Sequence, residues 1–237
     1  MKSVNLILRG LLGLGGAGLV YLALPVAQGA WDAAKADVAA TALREGKPVR
    51  FEEVSVGIDA LNRAVAADPV AGRYLQRSAL VVGAALSPDV PLSTERRVAW
   101  LRNAESDLVA GLGSAPARGV SWARLASVRQ GLYGSTPGVV DALMMSLDTA
   151  PMLSPIWPAR LRLILDNWAI FTQPQRERLV AYTIMTWRLS SDRRWFADVL
   201  RSPIDELFVR YFLRNEPGAQ DELEKWIKAA NKDWKKP

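Results

Sequence analysis

The chain has 237 residues, half of them apolar, a net charge of +6, and neither cysteine nor histidine. Histidine is the usual base near neutral pH and a common metal ligand, while cysteine supplies thiolates and disulfides. Their absence excludes zinc hydrolases, Ser-His-Asp and Cys-His enzymes, zinc fingers, iron–sulfur proteins and disulfide-stapled domains, leaving carboxylate or lysine chemistry, or none, with no metal or cofactor expected.

Residues 1–9 form a short tip carrying Lys2 and Arg9. Residues 10–30 follow without a single charge, a length that crosses a bilayer core of about 30 Å as a helix. Tyr21 and Trp31 suit interfacial positions, and the positive residues precede the segment. The expectation is a single-pass anchor in a bacterial inner membrane, with the N-terminus cytoplasmic and the bulk of the chain periplasmic. A cleaved signal peptide is the competing reading, because Ala27 and Gly29 after Pro25 offer small residues at cleavage positions.

After the anchor, no run of alternating β-branched residues occurs between turn signals, so the fold class is all-α. Residues 31–45 continue the membrane helix until Gly46-Lys47-Pro48. Helices are then expected at 51–67, 70–86, from the N-cap Ser93 to 112, from the cap Ser121 to 132, and at 139–149, 157–171, 174–189, 193–200, 203–213 and 220–234. Loops of about five residues make neighbouring helices pack as antiparallel pairs.

A repeat underlies this order. Pro116 is followed six residues later by Trp122, and Pro151 by Trp157, so both landmarks recur at a spacing of 35. Counting back from each proline, Ala104, Leu108 and Gly111 match Val139, Leu143 and Ser146. Gly57, Leu61, Ala64 and Pro69 form an earlier copy, 47 residues from the next proline and with Leu75 in the tryptophan place. Spacing near 34, an aromatic in the first helix, small residues where helices cross and a proline between units resemble the tetratricopeptide pattern. The resemblance implies a helical-hairpin solenoid over residues 31–171, its landmarks lying within 51–171; an irregular helical bundle is the alternative. Residues 172–237 lack the landmarks and read as a divergent unit with an amphipathic capping helix.

Candidate chemistry is sparse. The 22 arginines outnumber 8 lysines, and arginine's planar fork suits carboxylates and phosphates. Arg160, Arg162, Trp187, Arg193, Arg194 and Trp195 form the candidate interaction surface, for an anionic glycan, a lipid phosphate or an acidic partner; arginines solvated on helix faces give the same pattern. Nucleic acid is not an expected partner, because charges are mixed and no groove-reading motif occurs. No phosphate loop or dinucleotide fingerprint occurs either. Acidic pairs are unpromising for glycosidase chemistry: Asp205 and Glu206 are adjacent and diverge on a helix, and Glu52 and Glu53 sit where a helix start favours acids.

The anchor, the helical array and the phrases SAPARGVSWARLASVRQGLYG (114–134) and LDTAPMLSPIWPARLRLIL (147–165) together resemble the membrane-anchored accessory proteins of bacterial exopolysaccharide assembly, the VpsP type. The resemblance implies a non-enzymatic scaffold that supports polymerisation and export, with partners among other membrane and periplasmic proteins of polysaccharide assembly. The alternative is a periplasmic glycan-binding or processing module using exposed tryptophan and arginine.

Overall fold

Prolines and glycines punctuate the chain, and several helices begin or end beside one. The computed structural model describes residues 2–230, with side chains from residue 16 onward, and these hold twelve α-helices and no strand. The chain divides into two compact units, Met1–Pro116 and Ala117–Pro237.

The first unit contains α1 (Lys2–Ala34), α2 (Asp37–Arg44), α3 (Phe51–Ala67), α4 (Ala71–Leu86) and α5 (Thr94–Ser114). Residues 16–28 of α1 are all exposed. From Gly29 onward α1 packs against α3, so closely that a Cβ on Gly29 would stand 3.2 Å from the Ala64 carbonyl oxygen. Among the described residues no helix is long and apolar enough to cross a membrane; the side chains of residues 1–15, covering the tip and the first part of the expected anchor, lie outside them.

The expected continuous helix over 31–45 is broken. The N–H groups of Lys35 and Ala36 donate three residues back, to Asp32 and Ala33 at 3.1 Å, which tightens the backbone into a turn. Ala36 is thereby fully buried, and Ala39 of α2 joins it in a core with Ala33, Val54, Leu61, Ala64, Leu80, Ala84 and Val90. Ser93 caps α5 as its position predicts, its Oγ accepting from the Arg96 N–H.

The second unit contains α6 (Gly119–Tyr133), α7 (Pro137–Thr149), α8 (Trp157–Asp166), α9 (Gln173–Leu189), α10 (Arg194–Val199), α11 (Pro203–Phe212) and α12 (Ala219–Ala229). Two expectations are corrected here. Ser121 is no cap, because α6 begins at Gly119 and Ser121 is buried inside it. The helix expected to reach residue 171 stops at Asp166: the Asn167 side-chain amide donates to the Leu163 carbonyl at 2.8 Å, and a single 3₁₀ turn, Trp168–Ile170, follows. Leu223 and Ile227 bury the apolar face of α12; the expected continuation to residue 234 lies outside the described residues.

The sequence repeat has a local structural counterpart at three helix ends. Asp68, Ala115 and Ala150, each preceding a proline, have nearly the same conformation: φ −143°, −137° and −154°, with ψ 84°, 66° and 62°. Proline crowds the residue before it out of the helical basin, which ends α3, α5 and α7 at equivalent positions. The last N–H donates to Ala64, Gly111 and Ser146, the small residue of each copy. The reason for small residues is close approach. A Cβ on Gly111 would lie 2.5 Å from Leu75 Cδ2, and one on Gly119 would lie 2.4 Å from Ala150 Cβ. Those contacts close the open ends of the α4–α5 and α6–α7 hairpins, which are the most extensively packed helix pairs in their units.

Replacing Gly119 by valine should therefore cost about 1–3 kcal/mol, the usual range for overpacking. Gly113→Ala, at a helical glycine with open space around its Cβ position, should be neutral or stabilising by up to about 1 kcal/mol. Denaturant unfolding of the two variants checks the contrast.

Candidate functional site

The six residues expected to form an arginine–tryptophan surface do not form one. Arg160 is fully buried and Trp187 is 2% exposed, so neither can meet a ligand. Arg160 reaches from α8 to the end of α7: its guanidinium donates to the Ser146 carbonyl at 2.5 Å, the Ala150 carbonyl at 2.8 Å, the Ser146 hydroxyl at 2.8 Å and the Tyr182 hydroxyl at 3.1 Å. Among the described residues no carboxylate pairs with it. Its counter-charge is the negative end of the α7 dipole, where the Ser146 and Ala150 carbonyls each accept it beside a backbone N–H. Burial pushes the Tyr182 hydroxyl above its usual pKa against the opposing pull of that guanidinium.

Arg162, two residues on and so on the opposite side of α8, is pinned between Asp166 at 2.7 Å and Asp205 at 2.7 Å, and also donates to the Val199 carbonyl. Asp205 in turn closes the capping box of α11 with Ser202 and accepts the Arg201 N–H. Burial alone would raise the Asp205 pKa; the hydrogen bonds from Arg162 and the two backbone amides outweigh it and hold the carboxyl below its ordinary value. Arg193 donates to Glu222 at 2.6 Å and to the Trp187 carbonyl, with its cation 4.8 Å above the Trp187 ring centroid. Trp195 is half-buried, stacked on Phe196 and donating to Ser190 at 2.8 Å. Arg194 is exposed, with a loose pair to Asp198 at 3.8 Å. These residues bind the helices of the second unit to one another. The adjacent acids diverge as expected, Asp205 to Arg162 and Glu206 to Arg210.

The open feature of the unit lies elsewhere. A groove of about 790 Å³ runs between α9 and α11, within the range of ligand-sized clefts. One face of α9 supplies Gln173, Arg176, Glu177, Val180, Ala181 and Ile184, at helical spacing; α11 supplies Leu207, Phe208 and Tyr211, and Arg214 follows it. Leu207 and Tyr211 are 67% and 53% exposed. Trp168 closes one end, its ring 4.7 Å from Phe212 and 5.7 Å from Phe208. Arg176 lies over the Trp168 ring at 5.6 Å and donates to the Trp168 and Ala169 carbonyls. Arg214 lies 4.1 Å over the Tyr211 ring and donates to the Tyr211 carbonyl. A smaller, polar recess of about 240 Å³ in the first unit is filled along one side by the bidentate Arg77–Asp107 pair.

Among known proteins, the chain matches no family model, no curated protein and no solved structure. The site is therefore read from its own chemistry.

The sequence carried one usable signal for the groove. Helix α11, PIDELFVRYF, has an apolar arc wider than its buried contact, set against Asp205, Glu206 and Arg210: Val209 and Phe212 are buried, while Ile204, Leu207 and Tyr211 are exposed. A surface helix needs one apolar stripe, so a second stripe marks a face without an intramolecular partner.

Two variants separate support from surface. Arg160→Ala removes the hydrogen bonds that join α7, α8 and α9 and leaves a buried cavity, and should lower stability by about 2–5 kcal/mol, whereas Arg194→Ala should stay within about 0.5 kcal/mol of the parent. Because the Asp205 pKa is depressed on folding, its stabilisation is present above the ordinary carboxylate pKa and lost as pH falls through the folded value. Asp205→Asn should thus be less stable at pH 7 and lose less on acidification toward pH 3, as measured by urea unfolding at both pH values.

Proposed function

We propose that the chain is a non-enzymatic interaction protein that supports exopolysaccharide polymerisation and export, held at the bacterial inner membrane by its N-terminal helix. Its partners are other membrane and periplasmic proteins of polysaccharide assembly. The observation that carries the interaction reading is the α9–α11 groove, where tryptophan, tyrosine and arginine frame an apolar floor. These three residue types dominate the binding energy of protein interfaces, and contiguous exposed apolar surface marks a docking face.

The anchor has separate support. Leu19, Val20, Tyr21, Leu22, Leu24 and Val26 are all more than half exposed and lie on every side of α1, so no single protein face could cover them. A lipid environment covers all sides at once. The repeated pre-proline helix ends and the small residues packed beside them support the tetratricopeptide-like reading of the hairpins. A glycan-binding reading through Arg160 and Trp187 has no such support, because both are inside.

The double variant Leu207→Glu, Tyr211→Glu tests the function in the native cell. Both side chains are exposed, so the substitutions should leave the melting temperature within a few degrees of the parent. Polymer should be lost while synthesis of lipid-linked repeat units continues, matching a deletion of the whole chain. Normal polymer in either strain overturns the proposal.

A further inference from the structure

We propose that the occupant of the α9–α11 groove is an amphipathic helix of a partner protein, with carboxylates flanking its apolar stripe. The inference rests on the reading of the groove as a docking site and names the chemistry of what docks.

Shape gives the first argument. Groove positions on α9 run from Gln173 to Ile184, about 16 Å at 1.5 Å per residue, or three helical turns. Helix-in-groove recognition uses a stripe of about that length, with anchors at i, i+3 or i+4 and i+7. Val180, Ile184, Leu207 and Tyr211 offer the apolar floor such anchors need.

Charge gives the second. In the same unit Arg162, Arg178, Arg188, Arg193 and Arg210 each hold a carboxylate. Arg176 and Arg214, which border the groove, hold none among the described residues; their only hydrogen bonds go to backbone carbonyls. Each lies over an aromatic ring and keeps N–H groups with no acceptor among the described residues, Nη1 of Arg176 and Nε and Nη2 of Arg214. A guanidinium held this way can still meet a carboxylate, with little side-chain entropy left to lose. Glu177 on the same face donates nothing to an acid and disfavours one beside it, so the partner's carboxylates belong opposite the two arginines. The chain's own C-terminal residues 231–237 are a poor match, since Lys232, Lys235 and Lys236 outnumber Asp233.

Two synthetic helical peptides with the same leucine stripe, one flanked by glutamates and one by lysines, test this against the full chain by fluorescence anisotropy at about 0.1 M salt. The glutamate peptide should bind about tenfold more tightly, the effect of two interfacial ion pairs near 0.7 kcal/mol each. The preference should reverse in Arg176→Glu, Arg214→Glu, and Leu207→Glu should weaken both peptides. Equal affinities that Leu207→Glu abolishes would overturn the acidic partner and leave the groove as a docking site. Failure of both peptides, or binding indifferent to Leu207→Glu, would overturn the two readings together. Capture of anionic vesicles through Arg176 and Arg214, without peptide binding, would overturn the helical partner in favour of lipid.

Discussion

A proline has no amide hydrogen and crowds the residue before it, which favours ending a helix just short of one. At Pro69, Pro116 and Pro151 this constraint sets where α3, α5 and α7 end. The stop leaves carbonyls that the helix cannot satisfy itself, and it brings the small residue at Ala64, Gly111 or Ser146 to the end of a hairpin, where backbones approach. The buried positions around it follow from that approach: Gly57, Leu61, Ala104, Leu108, Val139 and Leu143 are all inside.

The third junction departs from the other two, and the candidate site depends on the departure. The position nine residues past the proline is Ser78 in the first copy and Leu125 in the second, but Arg160 in the third. Leu125 and Ser78 are buried without leaving their own hairpin; Arg160 donates to the carbonyls at the end of α7 and also reaches Tyr182 on α9. Two residues on, across α8, Arg162 reaches Asp205 at the start of α11. The two arginines of α8 thus fix the helices whose other faces border the groove.

Helix positions were largely legible in the sequence, because proline, glycine and capping residues act locally and their effects survive packing. The break at Lys35–Ala36 was not, since nothing in an alanine-rich run announces a turn that burial of Ala36 decides. Arg160 and Trp187 were misplaced for a related reason. Composition treats arginine as a surface residue, and only the three-dimensional position of the α7 carbonyls turns one into interior structure. Trp157, the aromatic landmark after Pro151, is buried. The groove was the least legible part, because an apolar residue bound for the core and one left for a partner are the same letter. Helix α11 held the clue in having too many of them.

Arg160 also bears on how the second unit assembles. A guanidinium stays charged at every pH the chain meets, and it enters an interior only where acceptors already wait. The end of α7, the body of α8 and the tyrosine of α9 are joined through this one buried cation. The wall of the groove on the far side of α9 is thereby tied to the rest of the unit through a side chain that no ligand in the groove touches.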